Sequence, residues 1–289
     1  MTMINGIYAA TLSILDTDLG LDIKKTITHA EKVIDKGCHG VVFFGSTGQS
    51  QLISLSDKIN LINNLSSSSY KENFIIGTGL NSLADTISLM KISMSLGFGR
   101  FLIMPPAYYK YDDQDVFNFY SNIIKVLPSS KIILYNFEKL SGYKFSENSV
   151  YKLVENFPNQ IIGVKDSSYN LFEKLKIDNF SLMPGSESKL LNGLELGCSG
   201  IITATTNATA SLARNVYDNF LNKKKQNLNE KLCEVRAVFE KYNLISGLHT
   251  FFSKNEPAYK NILPPLRVLN EVEQKELISK LHILDFKEN

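Results

Sequence analysis

Short apolar runs rich in β-branched and aromatic residues recur along the chain, bounded by Gly, Pro, Asn or Ser. IYAATLSI from Ile7, GVVFF from Gly40, FIIG from Phe74 and RFLIM from Arg100 come first. KIILY from Lys131, IIGVK from Ile161, FSLM from Phe180 and GIITA from Gly200 follow. Between successive runs lie segments with apolar residues at helical spacing, such as IKKTITHAEKVIDKG after Ile23, DKINLINNL after Asp57 and DTISLMKISMSLG after Asp85. Runs with little polar alternation suit parallel strands covered by helices. Eight such units about 28 residues apart predict an α/β fold of the (β/α)8 TIM-barrel class, with an open doubly wound sheet as the alternative.

No strand signal follows the helix containing SLARNVYDNF. A lysine- and asparagine-rich stretch from Lys223 to Lys231 marks a change of composition there. The expected division is a catalytic barrel over residues 1–224 and a C-terminal helical bundle over residues 225–289. In the bundle, LCEVRAVFEKYNLI has helical spacing, a turn is expected near Gly247, another helix around PAYKNIL, a break at Pro264-Pro265 and a last helix in VEQKELISKLHIL. Ser66 to Ser69 is too short to be a linker and reads as a loop between helix and strand.

The 289 residues are 44% hydrophobic, enough for a sizeable core, which excludes disorder as the main state. With 31 Lys and Arg against 29 Asp and Glu, the net charge of +2 gives no electrostatic reason to bind nucleic acid or membrane. Cys38, Cys198 and Cys233 stand apart without metal-binding spacing, which argues against a disulfide framework or structural zinc and fits a reducing compartment. No apolar run approaches the roughly 18 residues of a membrane span. The N-terminal MTMINGIYAATLSILD shows no basic stretch ahead of a long apolar core, so the expectation is a soluble cytoplasmic protein without signal or transit peptide.

In barrels of this class the chemistry sits just after each strand. After the second run comes Gly45-Ser46-Thr47-Gly48-Gln49. Its glycines let backbone approach a ligand, and its hydroxyls and amides suit a carboxylate; an ordinary glycine-rich turn is the plainer reading. It matches neither the phosphate-binding P-loop nor the dinucleotide fingerprint. Tyr135-Asn136 ends the fifth run, and Lys165 ends the sixth, ahead of Asp166-Ser167. Burying a lysine as its cation is costly, which favours the neutral amine and attack on a ketone to form a Schiff base. The alternative is that Lys165 lies in a solvated loop or pairs with Asp166. A tyrosine on a neighbouring strand end can serve as acid and base, or be a core tyrosine satisfied by backbone. PPAYYKY after the fourth run places Tyr108, Tyr109 and Tyr111 on a loop suited to a pocket or a subunit contact. PGSES and TATTN, after the seventh and eighth, are small and polar, as suits a pocket for a hydroxylated substrate, and could also be plain turns.

The order GSTGQ, PPAYY, YNFEKLSG, GVKDSS, PGSES and GCSGIITATTN, followed by NEPAYKNIL and LPPLRVL, resembles the dihydrodipicolinate synthase/N-acetylneuraminate lyase family over essentially the whole chain. The resemblance implies a metal-free, cofactor-free class I aldolase mechanism. In it Lys165 forms an imine with pyruvate or another 2-oxo acid, Tyr135 relays protons, and Ser46 and Thr47, flanked by Gly45 and Gly48, bind the pyruvate carboxylate. Tyr109, or Tyr108 beside it, would reach a neighbouring subunit's site within a homotetramer of two tight dimers. Leu140, Gly185, Ser186, Glu187, Ile202, Thr203 and Thr205 would line the substrate pocket. In the synthases an arginine holding the aldehyde's carboxylate stands where this chain has Leu140, which cannot grip a carboxylate. LSG, GSTG and the double proline look more like the lyase branch. The lyases, however, carry an Asp-Glu pair where this chain has Glu187-Ser188, and a hydroxyl where it has Ala204. Gln49 replaces a glutamate, and Phe137-Glu138 replaces an aliphatic-proline pair. The expectation is a pyruvate-dependent lyase of a sugar-derived 2-oxo acid, such as N-acetylneuraminate or a 2-keto-3-deoxy sugar acid. Dihydrodipicolinate synthase is the alternative, followed by a deoxy-keto sugar acid dehydratase or a non-catalytic 2-oxo acid sensor.

Overall fold

A computed structural model describes residues 3–287. All eight apolar runs form strands: β1 (Gly6–Ala10), β2 (Gly40–Phe43), β3 (Phe74–Gly77), β4 (Arg100–Ile103), β5 (Lys131–Asn136), β6 (Ile161–Asp166), β7 (Ser181–Pro184) and β8 (Gly200–Thr203). Six parallel pairings follow chain order, and a seventh joins β8 to β1. The remaining seam, between β7 and β8, is bridged where the Ser199 amide donates to the Leu182 carbonyl at 3.0 Å, so the sheet forms a nearly closed barrel.

The helices α1 (Ile23–Asp35), α2 (Leu55–Leu65), α3 (Leu83–Ser95), α4 (Asp113–Val126), α5 (Glu138–Ser141), α6 (Glu147–Asn156), α7 (Leu190–Glu195) and α8 (Thr206–Leu221) alternate with the strands. Polar caps start five of them: the side chains of Asp22, Ser54, Ser82 and Ser146 each accept an amide of the first turn, and Asp112 forms a reciprocal box with Asp115. One expected unit is incomplete. Between β6 and β7 the chain makes turns and no helix, because the amides of Tyr169, Leu171 and Phe172 are drawn onto the Asp166 carboxylate.

Strand alternation separates two cores. Ile7, Val41, Ile76, Ile103 and Val164 face outward and pack under the helices, whereas Tyr8, Val42, Ile75, Leu102, Ile133 and Ile202 fill the barrel interior. The inward set places Tyr135 and Lys165 at the carboxyl end of the barrel.

Beyond residue 224, α9 (Asn229–Glu240), α10 (Leu244–Ser253) and α11 (Glu271–Ile283) form the helical extension. The expected turn near Gly247 lies earlier: Gly247 is inside α10, and the break falls at residues 241–243, where the Asn243 side chain accepts the amides of Ile245 and Ser246. PAYKNIL makes only a single turn, Pro257–Lys260. The extension does not stand apart from the barrel. Val235, Phe239, Leu248 and Phe252 share a third core with Leu12, Ile14 and Ala204 from the barrel's mouth.

Candidate active site

The register pairs Tyr135 with Lys165 and Asn136 with Asp166 across β5 and β6. Within each strand the two residues point to opposite faces, so one pair opens on the mouth and the other is buried in structure. The Asp166 carboxylate is occupied by the Asn136 amide at 2.8 Å and by the three turn amides. It is not a partner for Lys165. The Lys165 Nζ instead lies 4.1 Å from the centre of the Tyr135 ring, and the Tyr135 hydroxyl is 2.9 Å from the Ser46 hydroxyl. All three line a cavity of about 520 Å³.

Of the residues expected in the site, Thr47, Leu140 and Gly185 line the same cavity. A side chain at Gly185 would run into the Ser167 hydroxyl, so only glycine leaves that wall open. Gly45 faces an adjoining apolar chamber of about 130 Å³ that shares Ser46, Tyr135 and Leu140. Gly48 is buried with its carbonyl bonded to the Ser13 hydroxyl at 2.7 Å. Gln49 adopts a left-handed backbone, φ 55°, and its side-chain carbonyl accepts the Leu263 amide at 2.8 Å, tying the glycine motif to the C-terminal extension.

The structure places the other expected residues elsewhere. Ile202 belongs to the barrel interior, and Ser186 is buried in a turn, its hydroxyl accepting the Ser188 amide. Glu187, expected at the substrate, is fully buried beneath the cavity. Its carboxylate accepts the Thr203 hydroxyl at 2.9 Å, the Thr209 hydroxyl at 3.2 Å and Arg236 at 3.1 Å. Thr203 and Thr205 in turn accept from Arg236. Tyr109 lies outside the cavity, 73% exposed and edge-on to Tyr108.

Several lining residues escaped the sequence reading. Phe137, Ser167 and Tyr169 follow the two central strands; burial raises the Tyr169 phenol above its ordinary range. Arg236, Glu240, Tyr242 and Asn243 come from the helical extension, where helical spacing gave no sign that polar positions face a barrel mouth. Burial opposes the Arg236 charge, but the Glu187 and Glu240 carboxylates outweigh it and raise its pKa. Buried Cys198 is pushed up to about 12 by burial, which keeps it a thiol. Among the described residues, no group of three or more His, Cys, Asp or Glu is placed to hold a metal, and no helix is long and apolar enough to cross a membrane.

The sequence model of the Dihydrodipicolinate synthetase family matches residues 3–284. The chain belongs to that family. An uncharacterized DapA-like lyase of Chloroflexus aurantiacus is 29% identical over 222 residues, 74% of each chain. A 2-dehydro-3-deoxy-D-gluconate/2-dehydro-3-deoxy-phosphogluconate aldolase of Picrophilus torridus is 26% identical over 230 residues, 77% of this chain and 85% of that one. A prophage protein of the dihydrodipicolinic acid synthase family from E. coli K12, solved in complex with pyruvate, shares the fold. It has a TM-score of 0.88 at 21% identity and covers 99% of this chain and 100% of its own. Family membership makes the chain a lyase or aldolase.

Proposed function

We propose that the chain is a pyruvate-dependent lyase that cleaves, or in reverse forms, a sugar-derived 2-oxo acid through an imine on Lys165. One observation carries this reading: a buried amine at the end of β6 lies against the ring of Tyr135, whose hydroxyl is bonded to Ser46, at the wall of a substrate-sized cavity. The free amine adds to the C2 ketone, and the carbinolamine loses water to leave an iminium. Tyr135, with Ser46 in its hydrogen-bond line, takes the proton of the C4 hydroxyl. The C3–C4 electron pair then flows into the iminium, the aldehyde departs, and an enamine remains. A proton returns to C3, and water hydrolyses the imine to release pyruvate and the amine. In this reading Ser46 and Thr47 hold the substrate carboxylate, and no metal or cofactor takes part.

Leu140 at the wall offers no charge to a second carboxylate, which favours an uncharged aldehyde half. Condensation of pyruvate with aspartate semialdehyde is the second reading, favoured by the ammonium of Lys139 on the same cavity. Pyruvate release, coupled to lactate dehydrogenase, separates the two across N-acetylneuraminate and a panel of 2-keto-3-deoxy sugar acids. Release from one of them supports the lyase. No release, with borohydride labelling by pyruvate intact, moves the assignment to the synthase. The exposed Tyr108–Tyr109 pair is assigned to contact with a second copy in a homotetramer, tested by sedimentation and by the activity of Tyr109→Phe.

A further inference from the structure

Arg236 enters the cavity from α9, outside the barrel strands, and its side chain is 5% exposed. Its hydrogen bonds are unevenly shared. Nη1 donates to Glu187 at 3.1 Å, Thr203 at 2.9 Å and Thr205 at 3.0 Å, while Nε donates to Glu240 at 2.7 Å. Nη2 makes no hydrogen bond among the described residues. It is also absent from the sealed polar atoms that lack partners, so it opens on the cavity that Arg236 lines.

The charges around it do not cancel. One guanidinium stands between two carboxylates, Glu187 sealed beneath and Glu240 lining the cavity with 45% of its side chain exposed. The Thr203 and Thr209 hydroxyls fix Glu187 in place, so this excess negative charge is built into the wall. A carboxylate or phosphate arriving here would gain one donor and face two like charges. Lys139 is exposed at the rim, where solvent screens it and weakens any compensation. A neutral diol fits both groups, since one hydroxyl accepts from Nη2 and its neighbour donates to Glu240.

Resting on the lyase reading, the geometry points to Arg236 and Glu240 as the specificity-determining residues of the site: they take the vicinal hydroxyls of a neutral aldehyde half and disfavour phosphorylated or carboxylated ones. Repulsion against the wrong ligand supplies part of that discrimination.

The test runs the reaction in the condensing direction with intact protein, pairing pyruvate with glyceraldehyde, glyceraldehyde 3-phosphate or aspartate semialdehyde. Borohydride labelling of Lys165 by pyruvate is read alongside. The wild type is expected to prefer glyceraldehyde in kcat/KM by roughly tenfold or more, and Glu240→Gln to narrow that ratio by roughly tenfold, chiefly through KM. Arg236→Lys, which keeps the counter-charge for Glu187 but loses the planar fork, is expected to raise KM for glyceraldehyde. Labelled wild type that prefers glyceraldehyde 3-phosphate, or an unchanged ratio in Glu240→Gln, overturns this inference alone, whereas a preference for aspartate semialdehyde overturns the lyase reading with it. Absence of the pyruvate adduct in the wild type overturns the lyase reading and this inference with it.

Discussion

Lys165 and Tyr135 are register partners on neighbouring strands, and the amine of one lies 4.1 Å from the ring centre of the other. The ring face lies against the amine, so before reaction the tyrosine fixes the lysine's position. Once the lysine carries substrate, the same placement sets the phenol beside the carbon chain that must gain and lose protons. One strand pairing therefore fixes both halves of the proposed chemistry.

Lys165→Ala is expected to abolish turnover and borohydride labelling while leaving the barrel folded, since the lysine makes no hydrogen bond or ion pair among the described residues. The protein contains its own control. Lys58 is fully buried, bonded to the Thr78 and Gly79 carbonyls, and pushed down to about 7 by burial. Its amine is readily neutralised, but it does not line the cavity. Peptide mapping that finds the adduct on Lys58, or turnover that survives in Lys165→Ala, would refute the imine assignment.

Tyr135→Phe keeps the ring under the lysine and deletes only the hydroxyl bonded to Ser46. Loss of a positioned acid/base should slow turnover about a hundredfold or more, with a much smaller effect on the yield of the pyruvate adduct. Single-turnover kinetics separates the two steps. Equal losses in both would assign the hydroxyl to binding instead of proton transfer.

The barrel was legible because each strand is a compact apolar run and most crossover helices have their own spacing, five of them with a side-chain cap. Lys165 and Tyr135 were legible for a related reason, since polar residues ending buried strands stand out against their runs, and Ser46 was marked by the glycines flanking it. Glu187 was misleading, since its position predicted contact with substrate, whereas the structure spends its carboxylate on Arg236. That pairing joins residues 49 positions apart, through a helix whose own spacing reports burial but not what its buried arginine meets. The missing helix after β6 was hidden likewise, because it depends on three amides converging on Asp166.

Removing Arg236 leaves the Glu187 carboxylate charged and sealed, with the Thr203 and Thr209 hydroxyls as its donors. Arg236→Leu is expected to destabilise the protein by about 3–5 kcal/mol, more than a surface ion pair could account for. Replacing both, as Glu187→Met with Arg236→Leu, is expected to recover part of that loss because no charge is left stranded. Urea denaturation checks both variants. A loss under about 1 kcal/mol for Arg236→Leu would show that water reaches the Glu187 carboxylate.

Two imidazoles link stability to acid. His29 donates from Nε2 to the Asn207 side-chain carbonyl at 2.8 Å and accepts the Tyr259 hydroxyl at Nδ1. His249 lies 2.9 Å through Nδ1 from the Tyr259 carbonyl, and its Nε2 has no partner. Burial lowers each to about 4, with Asn207 and the Tyr259 carbonyl working weakly the other way, and with Lys32 and Lys36 adding to the shift at His29. Between this value and the ordinary 6.5 the unfolded chain binds more protons, so stability is retained above pH 6.5 and lost as pH falls toward 4. The loss approaches about 3 kcal/mol per imidazole. His249→Asn, whose amide can still meet the Tyr259 carbonyl but does not titrate, should make this decline shallower. Denaturation midpoints measured between pH 7 and pH 4 decide the matter: an equally steep decline in the variant would place the acid sensitivity elsewhere.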